Sequence, residues 1–91
     1  MFEKGKAKGT IRFSIQADVR VRRVLLAGDF DGWQPVAMRR QKGGRFVAVV
    51  PVPPGTHQYK FIVDGRWTTD PDNQRQVLNR FGTPNSVAVV G

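Results

Sequence analysis

Apolar and polar residues alternate on both sides of Asp64-Gly65, in the run Tyr59-Lys60-Phe61-Ile62-Val63-Asp64-Gly65-Arg66-Trp67-Thr68-Thr69. Asp-Gly between two β-prone runs predicts a two-residue hairpin turn, because both turn residues must take positive φ. With that turn, Val63 opposes Arg66, Ile62 opposes Trp67, Phe61 opposes Thr68 and Lys60 opposes Thr69. Directly opposed residues share a face. Lys60, Ile62, Trp67 and Thr69 therefore lie on one face, and Tyr59, Phe61, Val63 and Thr68 on the other. The second face is the more continuously apolar and is expected to meet the core. The first carries an indole with an ammonium as its diagonal neighbour.

Elsewhere the same period of two recurs. Thr10 to Ser14 alternates, with Ile11, Phe13 and Ile15 on one face, and reads as a strand with one solvated side. Ala17 to Arg23 mixes Val19 and Val21 with arginines and fits either a strand or an exposed loop. Val24 to Ala27 reads as a short buried strand closed by Gly28. Gly28-Asp29-Phe30-Asp31-Gly32-Trp33-Gln34-Pro35 is a structured loop that carries two large aromatics. Val36 to Arg40 suggests a short strand, Lys42-Gly43-Gly44 a turn, and Arg45 to Val52 a further strand, with Pro51 near its end where a missing donor is tolerated. Pro53-Pro54-Gly55 is a turn. Asp70 to Asn85 has no clear period and reads as a long loop, and Ser86 to Val90 as a last strand. No helical period is present. The pattern predicts an all-β, antiparallel, immunoglobulin-like sandwich of about seven or eight short strands.

Composition narrows the classes. The 91 residues suit one domain. Residues 1–9 alternate Lys and Gly and are expected to be a flexible basic tail, leaving residues 10–91 as the folded domain. There is no cysteine, which excludes disulfides and thiolate metal sites. The longest apolar run, Phe46 to Val50, has five residues, against about 20 for a membrane span. Nothing apolar follows the basic start, so a signal peptide is not expected and a cytoplasmic setting is. The net charge of +8 raises the question of an anionic partner.

Catalytic constellations are missing. Asp64 belongs to the turn, Asp70-Pro71 looks like turn initiation, and Asp29 and Asp31 share one loop rather than flanking a cleft. His57 stands alone, without partners at metal-ligand spacing. Neither Ser14 nor Ser86 sits in a nucleophile elbow. The chain is expected to be neither an enzyme nor a cofactor or metal protein, which leaves a binding module.

Trp33 and Trp67 then become informative. An indole offers a broad apolar face with an N–H at its rim. A pyranose ring has an apolar C–H face and a hydroxyl rim, so stacking buries apolar surface and leaves hydroxyls free to bond. Lys60 beside Trp67 would supply three donors. The competing reading of Trp67 is a cross-strand cap on Ile62. That of Trp33 is a plug closing one end of the sandwich. Hairpin parity brings Lys60 to Trp67 but says nothing of where Trp33 goes.

Three segments carry a resemblance: Gly28 to Trp33, Pro54 to Trp67, and Asp70-Pro71 through Phe81-Gly82-Thr83-Pro84-Asn85-Ser86. In order and spacing, over roughly Thr10 to Val90, they are similar to carbohydrate-binding module family 48. That family includes the glycogen-binding domain of the AMP-activated protein kinase beta subunit and the early-set domain ahead of the catalytic barrel in branching and debranching enzymes. The resemblance implies an early-set immunoglobulin-like sandwich. It also implies non-catalytic binding of α-1,4-linked glucan (glycogen, starch or maltooligosaccharide), with Trp33 and Trp67 as sugar platforms and Lys60 bonding hydroxyls. Glucan-binding members add a loop before the last strand, with a leucine that enters the glucan coil and a Thr and Asn nearby. Here Phe81 replaces the leucine, and Thr83 and Asn85 match. Asp31 stands where many members carry Asn. The implied partners are an α-glucan and, in a larger assembly, a glycogen-metabolising enzyme or kinase complex.

Two other classes compete. A protein-interaction or scaffold module of the same fold would dock through Arg20, Arg22, Arg23, Arg39, Arg40, Lys42 and Arg45. Nucleic-acid binding ranks below both, because these cations are not interleaved with the aromatics. It would weaken steeply with salt.

Overall fold

The computed structural model describes all 91 residues and is an antiparallel β-sandwich of immunoglobulin-like type. Ten strands follow in chain order: β1 (Phe2–Lys4), β2 (Thr10–Gln16), β3 (Val24–Gly28), β4 (Val36–Ala37), β5 (Arg39–Arg40), β6 (Arg45–Pro51), β7 (Gly55–Val63), β8 (Arg66–Thr68), β9 (Gln76–Leu78) and β10 (Pro84–Val90). One sheet has the order β1-β2-β6-β5. The other runs β4-β3-β7-β10-β9, with β8 paired to β7 beyond the end of β10. No helix is long and apolar enough to cross a membrane.

The period of two explains the core. Ile11, Phe13 and Ile15 point inward from β2, and Phe46 and Ala48 from β6. Val24 and Leu26 face them from β3, Tyr59 and Phe61 from β7, and Ala88 from β10. Phe13, Leu26, Tyr59 and Phe61 are fully buried. Burying each such side chain contributes roughly 1.5–3 kcal/mol. The organising hairpin has the expected register: Ile62 opposes Trp67 and Val63 opposes Arg66. Asp64 at φ 47° and Gly65 at φ 85° form the turn, as a two-residue connection with both φ positive requires. Asp64 does more than turn the chain. Its carboxylate accepts the backbone N–H groups of Arg22 and Arg23 at 3.1 and 2.9 Å, pinning the preceding connection.

Several segments differ from expectation. The stretch expected to be a loose tail contains β1, in which Phe2 pairs with Phe13 and sets its ring edge-on to Tyr59 at 6.2 Å. A Lys- and Gly-rich segment has the composition of a disordered tail, but it equally suits a charged edge strand. Ala17 to Arg23, left open between strand and loop, is a loop. Val36 to Arg40 is two strands in different sheets. Met38 between them is buried and carries the chain from one layer to the other. The long loop from Asp70 contains β9 and ends at Pro84, where β10 starts.

Asp70 anchors that loop. It is 1% exposed, and its Oδ2 accepts the Tyr59 hydroxyl at 2.6 Å and the amino group of Met1. Its Oδ1 accepts the Asp72 N–H at 2.9 Å, and its own N–H donates to Ser86 Oγ at 2.8 Å. Burial first, and then the bond to Asp70, push the Tyr59 phenol far above its ordinary range.

Candidate functional site

The site lies on the outer face of the larger sheet. Tyr59 and Phe61 point into the core, so Gln58 and Lys60 point out from β7. Val87 on β10 opposes Gln58, and alternation along β10 puts Asn85 on the same outer face. The β8 indole of Trp67 stands beside Lys60 and is 55% exposed.

Trp33 reaches this face by a separate device. A single 3₁₀ turn, Asp29–Asp31, follows β3, and Gly32 takes φ 71°. Trp33 itself has φ 64°, and its N–H donates to Gly28 O at 2.8 Å. A left-handed conformation costs a non-glycine residue about 1–2 kcal/mol, so the surrounding contacts must impose it. Asp29 provides two of them. Its Oδ2 accepts the Gln58 N–H at 2.9 Å, and its Oδ1 lies 3.0 Å from His57 Nδ1. His57 Nε2 in turn sits 2.8 Å from Pro53 O. The lone histidine therefore braces the loop. The aromatic that plugs the sandwich end is Phe30, not Trp33. Its ring stacks on Phe13 at 5.5 Å, in space that a Cβ on Gly28 would occupy at 2.2 Å from the Phe30 ring.

The third part is the five-residue connection Asn79–Thr83 between β9 and β10. Gly82 N–H donates to Asn79 O at 3.0 Å, and Gly82 takes φ 78°, the usual place for a glycine in such a hairpin loop. The Asn79 side chain ties it. Oδ1 accepts the N–H groups of Phe81 and Thr83 at 2.9 and 3.2 Å. Nδ2 donates to Thr83 Oγ1 at 2.7 Å and to Asn85 Oδ1 at 3.2 Å. Asn85 Nδ2 then donates to Gln58 Oε1 at 2.9 Å. The backbone donors at Phe81 and Thr83 fix the polarity of the whole relay, because only an oxygen can accept them. The relay ends with Gln58 Nε2, a donor without a partner in the chain.

All six residues singled out from the sequence, Trp33, Lys60, Trp67, Phe81, Thr83 and Asn85, border one open groove of about 1210 Å³. Phe81 is 77% exposed, so its ring is presented rather than packed. Asn85 is nearly buried and bonded on both sides, which makes it a strut under the groove as much as a wall of it. Sequence reasoning missed Gln58, Leu78, Asn79 and Arg80, which also line the groove. Gln58 could have been found, since it lies two residues from Lys60 on one strand. The others sit on a loop and an edge strand with no period.

A groove that combines two indoles, a phenyl ring and amide donors is suited to a flat ligand with a polar rim. Comparison with known proteins bears on its class. Residues 11–91 match the family model described as the glycogen recognition site of AMP-activated protein kinase. The chain belongs to this family. It is 42% identical over 67 residues to the 5'-AMP-activated protein kinase subunit beta-1 of Sus scrofa, a match covering 74% of this chain and 53% of the relative. The Homo sapiens beta-1 subunit is also 42% identical over 67 residues, 24% of its length. The chain thus spans about half or less of the relatives it matches. Among solved structures, a maltogenic amylase from S. marinus aligns with TM-score 0.74 and 22% identity, over 90% of this chain and 13% of that one. A putative alpha amylase from Salmonella typhimurium aligns with TM-score 0.72 and 27% identity, over 94% and 14%.

Proposed function

We propose that this chain is a non-catalytic module that binds α-1,4-linked glucan, of the glycogen, starch or maltooligosaccharide type. The supporting observation is the convergence of Trp33, Lys60, Trp67, Phe81, Thr83 and Asn85 on one groove, from segments far apart in sequence. In this reading Trp67 and Trp33 stack on sugar faces, and Phe81 contributes a third apolar surface where related modules carry leucine. Lys60 and Gln58 Nε2 donate to the hydroxyl rim. Placing the two indoles on a rigid sheet and a braced loop limits the ordering cost on binding. The family and the named kinase relatives support a role inside a larger assembly, with a glycogen-metabolising enzyme or kinase complex as partner.

Native electrophoresis in gels with and without glycogen tests the reading. Wild type is retarded by glycogen, and Trp67→Ala is not, since truncating a central aromatic anchor commonly costs about 2 kcal/mol or more. A folded wild type that runs unretarded, or a Trp67→Ala variant retarded as strongly as wild type, would refute it.

A further inference from the structure

The groove has more hydrogen-bond donors than the fold itself uses. Lys60 is only 8% exposed, yet its ammonium forms no ion pair within the chain. Arg80 holds its guanidinium 5.0 Å from the Phe81 ring centroid and likewise has no carboxylate partner. Gln58 Nε2 is unpaired at the end of the amide relay. None of the thirteen lining residues is Asp or Glu.

The Lys60 stem is buried while its ammonium reaches solvent in the groove, and two cations with no carboxylate among the lining residues give the groove a positive potential that favours an anion. A neutral sugar hydroxyl both donates and accepts, so it satisfies hydrogen bonds but leaves the charge uncompensated. A phosphate monoester accepts through three oxygens and carries about −1.5 to −2 charge at neutral pH. Arginine presents a planar fork that matches it, and stacking on an aromatic ring holds that fork in place.

We infer that the groove takes an α-glucan bearing a phosphate monoester, with Arg80 and Lys60 as the pair that meets the phosphate. This rests on the glucan-binding reading above and names the subclass of glucan. It also gives part of the net charge of +8 a local task.

The test compares one naturally phosphorylated amylopectin before and after phosphatase treatment, using affinity electrophoresis of the full chain. The phosphorylated polymer binds about three- to tenfold more tightly at low salt. The difference fades near 1 M salt, where the screening length is about 3 Å. Arg80→Gln abolishes the preference. Arg39→Gln, which removes the same charge from the opposite sheet, keeps it. Equal binding of both polymers overturns the inference and leaves the glucan reading standing, whereas binding of neither overturns both. A preference that survives Arg80→Gln, or falls equally in Arg39→Gln, also overturns it. So does single-stranded DNA displacing the phosphorylated polymer as well as that polymer displaces itself, because the groove would then be a general polyanion surface.

Discussion

Replacing Asn79 with alanine separates the order of the Phe81 loop from the stability of the sandwich. The side chain makes four hydrogen bonds, to Phe81 N, Thr83 N, Thr83 Oγ1 and Asn85 Oδ1. At the low end of about 0.5 kcal/mol net each, appropriate to a half-exposed site, they hold the loop by about 2 kcal/mol. Two backbone bonds survive the substitution, Asn79 N to Thr83 O at 2.9 Å and Gly82 N to Asn79 O at 3.0 Å. Apparent affinity falls with the fraction of molecules in the competent conformation, and 2 kcal/mol bounds that fall at about thirtyfold. Asn79→Ala should therefore weaken maltoheptaose binding by roughly three- to thirtyfold in isothermal titration. The core is untouched, so the thermal midpoint should drop by no more than about 8–16 °C, the equivalent of the same 2 kcal/mol in a domain of this size. Asn79→Asp keeps the acceptor for both backbone N–H groups and loses only the donor, so its loss of affinity should be smaller. Binding by Asn79→Ala within about twofold of wild type would refute the loop-ordering argument, as that loss is below 0.5 kcal/mol.

Two further outcomes follow from particular side chains. Trp33→Gly should be more stable than Trp33→Ala by about 1 kcal/mol, because only glycine accepts φ 64° without strain, while both lose glucan binding; chemical denaturation checks the order. Tyr59, the single tyrosine, is held neutral in the fold by burial and by Asp70. Its folded pKa is raised above the unfolded value of about 10, so its contribution is complete below pH 10. Above that the unfolded chain loses a proton that the folded chain keeps, and stability should fall by about 1.4 kcal/mol per pH unit. Denaturation series followed by tyrosinate absorbance would show this, and ionisation of the folded protein near pH 10 would contradict it.

How much of this was legible in the sequence depended on the kind of interaction. The hairpin at Asp64-Gly65 could be read to the residue, because turn chemistry and a period of two specify register together. Its consequence, Lys60 beside Trp67 on the outer face, followed directly. The edge strands β1 and β9 left no such trace. Each has three residues, pairs on one side only and buries little, so backbone hydrogen bonding decides them. The fate of the two aromatics in the loop after β3 was also hidden. Phe30 goes in and Trp33 out because Asp29, His57 and the glycines at 28 and 32 bend the chain between them. Asp70 and Asn79, which the residue pattern marked as turn formers or not at all, proved to be the hubs of polar networks. Such side-chain bonds join positions without any period, so no alternation along the chain announces them.

The proposed function has this groove bind glucan through its tryptophans. Both tryptophans of the chain line it, so all indole emission arises at the site, and fluorescence titration with maltoheptaose addresses the claim directly. Wild type should show a saturable change, and Trp67→Ala a dissociation constant about thirtyfold weaker. Emission that stays constant up to millimolar maltoheptaose in the folded wild type, or undiminished affinity in Trp67→Ala, would contradict it.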